Sequence, residues 1–286
     1  MEASEGSGSG AAEAHYVLHV FPFSLYSIMA RFTAALGAAY QAPPGKRPPR
    51  IELRLVDLHR DEELTEPYLT GVNPKGQVPA MTSPALPATI TDSLDISYYL
   101  AKKHFPGMLP DANRGEIEAL LAKLHAIQGM SLSVAKVPEG CEIEFPSPGL
   151  NALLSRDDIS ESYRKALEFK KEYYKSTLGP ALRPESIAKA KKQAEELFED
   201  ISALRAKTTE QSLWIFGDAV GPTVLDAHVA PLIARLIDAG KEDLVPGELL
   251  EYGKRLTALP AWAEVTHGRS TIWNISYGHA RLLKDI

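Results

Sequence analysis

Asn73-Pro74-Lys75-Gly76-Gln77-Val78-Pro79-Ala80-Met81, followed ten residues after Met81 by Thr91-Asp92-Ser93-Leu94-Asp95-Ile96-Ser97-Tyr98-Tyr99-Leu100, is the stretch on which the fold turns. Residues 78–81 form a short apolar run, and the proline inside it cannot donate to a ladder, so the run reads as a strand entered through a turn. Residues 92–104 are apolar at helical spacing. Asp92 and Ser93, both good N-cap types, stand where that helix begins. A helix start leaves N–H groups without partners inside the helix, and those groups attract anions.

Outward from this stretch the periodicity alternates. Residues 15–21 read as a buried strand stopped at Pro22, and residues 24–40 as a helix. Residues 41–50 hold four prolines and three basic residues, too proline-dense for a regular element, and should form a loop. Residues 51–58 alternate Ile51, Leu53 and Leu55 with Glu52 and Arg54, which predicts a second strand parallel to the first. Residues 78–81 and the stretch 87–90 predict an antiparallel hairpin, giving a mixed four-stranded sheet. Beyond residue 110 only helices are expected, over 113–134, 157–178, 184–207, 223–239 and 248–256, with an irregular loop over 138–153. Strand and helix alternation followed by helices alone predicts an α/β unit over 15–105 and an all-helical unit over 113–286.

Length and composition agree with this division. A chain of 286 residues exceeds the size at which one core stops growing. With 44% hydrophobic and 24% charged residues it can bury a sizeable core. A net charge of −6 gives no electrostatic footprint for nucleic acid or anionic lipid, so neither is expected as a partner. The single cysteine, Cys141, excludes an internal disulfide. No apolar run spans a bilayer and no secretion signal opens the chain, so a cytoplasmic location is the expectation. Residues 1–14 read as a flexible leader. The eight histidines show no metal-ligand spacing, and none is assigned to a metal. Lys170 and Lys171 alternate with acids and read as a solvated helix face.

The Gln77-Val78-Pro79 and Asp92-Ser93 motifs together resemble the glutathione-binding signature of the glutathione transferase superfamily, of the serine-type cytosolic kind. The resemblance covers residues 15–270 and implies a thioredoxin-like first half, a cis proline at 79, glutathione as co-substrate and a homodimer. It further implies that the Val78 backbone pairs with the cysteinyl unit of glutathione, an added strand on an open edge. Ser93 would hold the γ-glutamyl carboxylate, and Asp92 would face the γ-glutamyl ammonium. Two serines three apart near the first helix, Ser24 and Ser27, match the family's activating pattern and place Ser24 at the thiol. Its hydroxyl would stabilise the thiolate, the nucleophilic form of a group with an ordinary pKa of about 8.5. Ser27 and Tyr26 are the competing hydroxyls. The family's base for the glycine carboxylate has no counterpart in residues 64–68; Lys75, Arg60 or His59 could substitute, and Gln77 resembles a family glutamine at this end.

A second match lies in Leu213-Trp214-Ile215-Phe216-Gly217-Asp218 and Pro222-Thr223-Val224-Leu225-Asp226-Ala227, which resembles a helix start in the family's helical half. Thr223 and Asp226 have capping-box spacing, and Asp226 is read as structural. Cys141 does not match the family's redox-type nucleophile. The expected activity is attack of the glutathione thiolate on a small apolar electrophile, held in a pocket that includes Phe23, Tyr26, Leu124 and Gln128. Two alternatives stay open: a glutathione-dependent double-bond isomerase of a biosynthetic pathway, and a non-catalytic glutathione-binding or scaffold module.

Overall fold

The computed structural model describes residues 15–134, 147–209 and 212–286. The leader 1–14, Cys141 and residues 138–146 of the expected loop lie outside the described residues. Strand β1 (His15–Val20) is central, with β2 (Arg50–Leu55) parallel on one side and β3 (Ala80–Thr82) antiparallel on the other. Leu18 is the shared register point, opposite Leu53 in β2 and Met81 in β3. Tyr16, Leu18 and Val20 are buried on one face of β1, as period-two alternation requires.

The expected fourth strand does not form. Residues 87–90 meet β3 only at Met81 and Ile90, whose backbones exchange hydrogen bonds of 2.8 and 3.0 Å. Pro84 and Pro87 lack the N–H groups that a longer ladder needs, so pairing stops at one residue. The sheet is therefore mixed and three-stranded.

Helix α1 (Leu25–Tyr40) is buried on nearly all sides over its first three turns, because it lies between the sheet and the helical half. Helix α2 (Glu66–Gly71) is short, and α3 (Ser93–Lys103) packs beside α1. The Val78–Pro79 peptide bond is cis.

The helical half begins with α4 (Arg114–Ala126) and α5 (Gly129–Ser133). These replace the single helix expected over 113–134: Ile127 and Gln128 are extended, and the Gln128 side chain caps the restart by accepting from Met130 N–H. Helix α6 (Pro148–Leu154) occupies part of the expected loop, with Pro148 at its first turn, a position that needs no donor. Helix α7 (Glu161–Tyr173) runs into one π turn over Tyr174–Leu178 and the short α8 (Gly179–Ala181). Helices α9 (Pro184–Arg205), α10 (Val224–Asp238), α11 (Gly247–Thr257) and α12 (Pro260–Thr266) complete the bundle.

Helix α10 is the spine, buried at every position from Val224 to Leu236. Its capping box forms as the spacing predicts, with Thr223 N–H donating to Asp226 Oδ2 at 2.8 Å. Ile215 N–H and the Tyr252 hydroxyl each donate to Oδ1 at 2.9 Å, so a carboxylate with no solvent access is fully bonded. One core runs through both halves, joining Leu18, Ile28 and Phe32 to Leu121, Val229 and Leu256. Residues 269–286 return to the sheet side, where Tyr277 stacks on Phe23 at 5.5 Å and Ala280 is fully buried. Among the described residues no helix is long and apolar enough to cross a membrane.

Candidate functional site

A cavity of about 790 Å³ lies between the two halves. The turn after β1, the residues entering β3 and the start of α3 form one wall, and α4–α5, α7 and α10 form the other. Ser24, Gln77, Val78, Pro79, Asp92 and Ser93 all line it, as do Phe23, Tyr26 and Gln128. Two expected residues do not. Lys75 is exposed and outside the cavity wall, and Leu124 is 3% exposed in the core. Successive helix residues are about 100° apart, so α4 turns Leu124 inward and brings His125 to the cavity instead.

Ser24 is the N-cap of α1, and its Oγ accepts from Ser27 N–H at 3.3 Å. The cap uses a lone pair, which leaves the hydroxyl hydrogen available to the cavity. Ser27 is fully buried and its Oγ accepts from Phe21 N–H at 3.3 Å, so it does not reach the cavity. Tyr26 lines the cavity with its hydroxyl turned to Gly129, where an added Cβ would stand 2.9 Å from it. Burial raises the Tyr26 pKa, and the phenol stays protonated.

Asp92 caps α3, accepting from Leu94 N–H at 2.8 Å and Asp95 N–H at 3.3 Å. The Ser93 hydroxyl makes no hydrogen bond among the described residues, although the residue is 2% exposed. The Val78 N–H and C=O likewise have no hydrogen-bond partner among the described residues. The Gln77 carbonyl, by contrast, is held by the Tyr68 hydroxyl at 2.7 Å and Asn73 Nδ2 at 2.8 Å. These bonds fix the segment that presents Val78.

Lys170 is a residue that sequence reading misplaced. It is 4% exposed rather than solvated, donates through Nζ to the Gly76 carbonyl, and stands over the Tyr174 ring at 5.0 Å. Gly76 has φ +56°, and a Cβ there would approach the Glu63 carbonyl to 3.1 Å, so the close passage beside Lys170 needs glycine. Glu63 is buried near it with Oε2 unpartnered. Burial lowers the Lys170 pKa, with Glu63 opposing, and burial raises that of Glu63. The signal was present: Tyr163, Leu167 and Lys170 follow one another at four and three residues, the buried stripe of α7.

Arg235 and His125 also line the cavity and were not foreseen. Arg235 Nε donates to Thr271 Oγ1 at 3.1 Å and Nη1 to Ser133 Oγ at 3.1 Å, which clamps α10, α5 and the returning segment together. Burial lowers the Arg235 pKa to about 10, and it remains a cation at neutral pH. The His125 ring lies 6.0 Å from that of Tyr26. Burial lowers its pKa against the pull of Asp92 and Asp95.

No protein-family model matches the sequence, and no curated protein does. Solved structures do match. Maleyl pyruvate isomerase, described as a bacterial glutathione S-transferase of the Zeta class, is 22% identical with a TM-score of 0.54, over 87% of this chain and 95% of that one. Glutathione transferase F7 from Populus trichocarpa is 16% identical with a TM-score of 0.55, over 88% and 98%. Human glutathione S-transferase T1-1 is 19% identical with a TM-score of 0.51, over 88% of each chain. A three-stranded sheet with α1–α3 followed by a helical half, matched over nearly the whole length of these structures, gives this chain the glutathione transferase fold.

Proposed function

We propose that the cavity binds glutathione and activates its thiol for attack on a small apolar electrophile. Residues 15–105 hold the tripeptide, and residues 113–286 supply the wall for the second substrate. The observation that carries this reading is the unpartnered Val78 N–H and C=O beside the start of α3, where the Ser93 hydroxyl is also open. An extended peptide can add to that edge through main-chain bonds, with its carboxylate at the helix N-terminus.

Ser24 then donates its free hydroxyl hydrogen to the sulfur. A hydrogen bond to the thiolate, with the N-terminus of α1 behind it, favours the charged form and lowers the thiol pKa. The thiolate attacks the electrophile: in a substitution the carbon–sulfur bond forms as the leaving group departs through the open cavity, and in an addition the carbon–carbon π bond breaks and the adjacent carbon takes up a proton from water. Phe23, Ile127 and Met130 give the electrophile an apolar surface. At the opposite end of the peptide, Lys170 supplies the cation that residues 64–68 lack, and the glycine carboxylate is its counter-ion in place of the carbonyl it now bonds.

Titration of protein-bound glutathione by thiolate ultraviolet absorbance tests the reading. Ser24→Ala should return the bound thiol toward about 8.5, and an unchanged bound pKa removes Ser24 from the mechanism. Failure of the wild type to bind immobilised glutathione would leave a scaffold. Recovery of free glutathione with a rearranged product would assign isomerisation for that substrate.

A further inference from the structure

Four contacts, the first three of them buried, form a chain that ends at the cavity wall. Thr33 Oγ1 lies 3.0 Å from the Met29 carbonyl oxygen and 2.9 Å from Ser97 Oγ. Ser97 Oγ lies 2.9 Å from His228 Nε2, and His228 Nδ1 lies 2.9 Å from His125 Nε2. All four contacts are short enough to be hydrogen bonds, and each needs one proton.

Only one direction supplies them. A carbonyl cannot donate, so Thr33 uses its single hydroxyl hydrogen on Met29. Ser97 must then donate to Thr33, and His228 must donate to Ser97 from Nε2. His228 is fully buried, where burial keeps it neutral, so its Nδ1 is bare and accepts from His125 Nε2–H. The reverse direction would leave the Thr33–Met29 contact with two lone pairs facing at 3.0 Å. The chain therefore ends at His125 with Nδ1 unprotonated. No hydrogen bond to that nitrogen occurs among the described residues, and His125 lines the cavity, across which the charge of Asp92 reaches its ring.

A bare ring nitrogen accepts and cannot donate, so it rejects a carboxylate and suits an N–H donor. Asp92 and Asp95 are the acids whose charge reaches this ring, and their field favours a cation. We infer that His125 Nδ1 accepts a hydrogen bond from a cationic amine of the bound ligand, its tautomer fixed by His228, Ser97 and Thr33. Resting on the glutathione reading above, that amine is the γ-glutamyl ammonium. His228, Ser97 and Thr33 are positioning residues; they touch no ligand and decide which nitrogen of His125 is free.

Calorimetric binding of glutathione and of its desamino analogue, in which hydrogen replaces the γ-glutamyl amine, tests this together with nitrogen NMR of histidine-labelled wild-type protein. The NMR should show His125 protonated at Nε2 and bare at Nδ1. His125→Leu should bind glutathione about tenfold more weakly than the wild type while binding the analogue unchanged. Thr33→Val releases Ser97 to donate to His228, allowing the tautomers to reverse, and should show a loss of the same selectivity but smaller, about twofold if the two tautomers become equally populated. His125→Asn, which can place an amide oxygen near the Nδ1 position, should recover part of it. A protonated Nδ1 in the wild type, or equal losses for the two ligands, overturns the inference and leaves the glutathione reading standing. A wild type that binds neither ligand overturns both.

Discussion

Arg235 Nη2 donates to the Phe23 carbonyl oxygen at 2.7 Å, so the spine of the helical half holds the turn that carries Ser24. The same nitrogen donates to the Thr271 carbonyl at 2.8 Å. Arg235→Met keeps comparable bulk but leaves both buried carbonyls without this donor, which should cost about 2–4 kcal/mol. The midpoint of urea unfolding should fall accordingly. An unaltered midpoint would show that water or a neighbour replaces the guanidinium.

The Asp226 carboxylate is the second structural charge. Four donors reach it from Ile215, Thr223 and Tyr252, and none of them has solvent as an alternative. Asp226→Ala should cost about 3–5 kcal/mol, while Tyr252→Phe, which removes one donor, should cost about 1 kcal/mol. Both are read from equilibrium unfolding. The bound thiol pKa of whatever remains folded should not move, because Asp226 lies in the cap of α10 and not in the cavity wall.

Gly37 lets α1 pass the Phe105 ring. A Cβ there would stand 2.3 Å from Phe105 Cδ2, well inside contact distance. Gly37→Ala should therefore destabilise by about 1–3 kcal/mol despite alanine's better helix propensity. Adding Phe105→Leu should restore part of that loss if the clash is the cause.

His19 makes the fold acid-sensitive. Burial lowers its pKa from 6.5 to about 4, Arg54 adding to the shift and Glu52 opposing it. Between those values the unfolded chain binds more protons than the native one, so stability falls as pH drops from about 6.5 toward about 4. His19→Gln can keep the 3.2 Å contact with Thr82 Oγ1 without titrating. Its plot of Tm against pH should be flatter over that window, though not flat, since burial also lowers His228.

Lys170→Met should raise the glutathione KM about tenfold with a smaller change in kcat, as expected for a group that binds the peptide's far end and stays away from the sulfur. Steady-state kinetics against glutathione checks this. A larger fall in kcat than rise in KM would place Lys170 nearer the chemistry.

The strand and helix order was legible because the elements differ in period, and the α10 cap because its spacing is a fixed local motif. The missing fourth strand turned on Pro84 and Pro87, whose lost donors outweigh the apolar character of the residues between them. In the site, Ser24, Gln77, Val78, Pro79, Asp92 and Ser93 could be brought together because their motifs resemble the glutathione transferase signature; local signals alone mark them only as turn and cap residues. Leu124 was misplaced by a single helical step of about 100°. Lys170 was hidden by composition, since a lysine pair among acids reads as solvated unless the buried stripe beneath it is traced. His125, His228 and Arg235 carry no local signature at all; their roles arise from contacts across more than a hundred residues of chain, such as that of His125 with His228.

The continuous core has a consequence for how the molecule melts. Phe32 on α1 packs edge-on to Trp262 on α12 at 5.2 Å, and the sheet's own apolar face is covered by the same cluster that fills the bundle. A cut near residue 110 would give two fragments, each with a broad wet apolar flank prone to sticking to its neighbours. Heating the intact chain should break sheet and bundle together, so the cavity and the scaffold that shapes it are lost in one cooperative event.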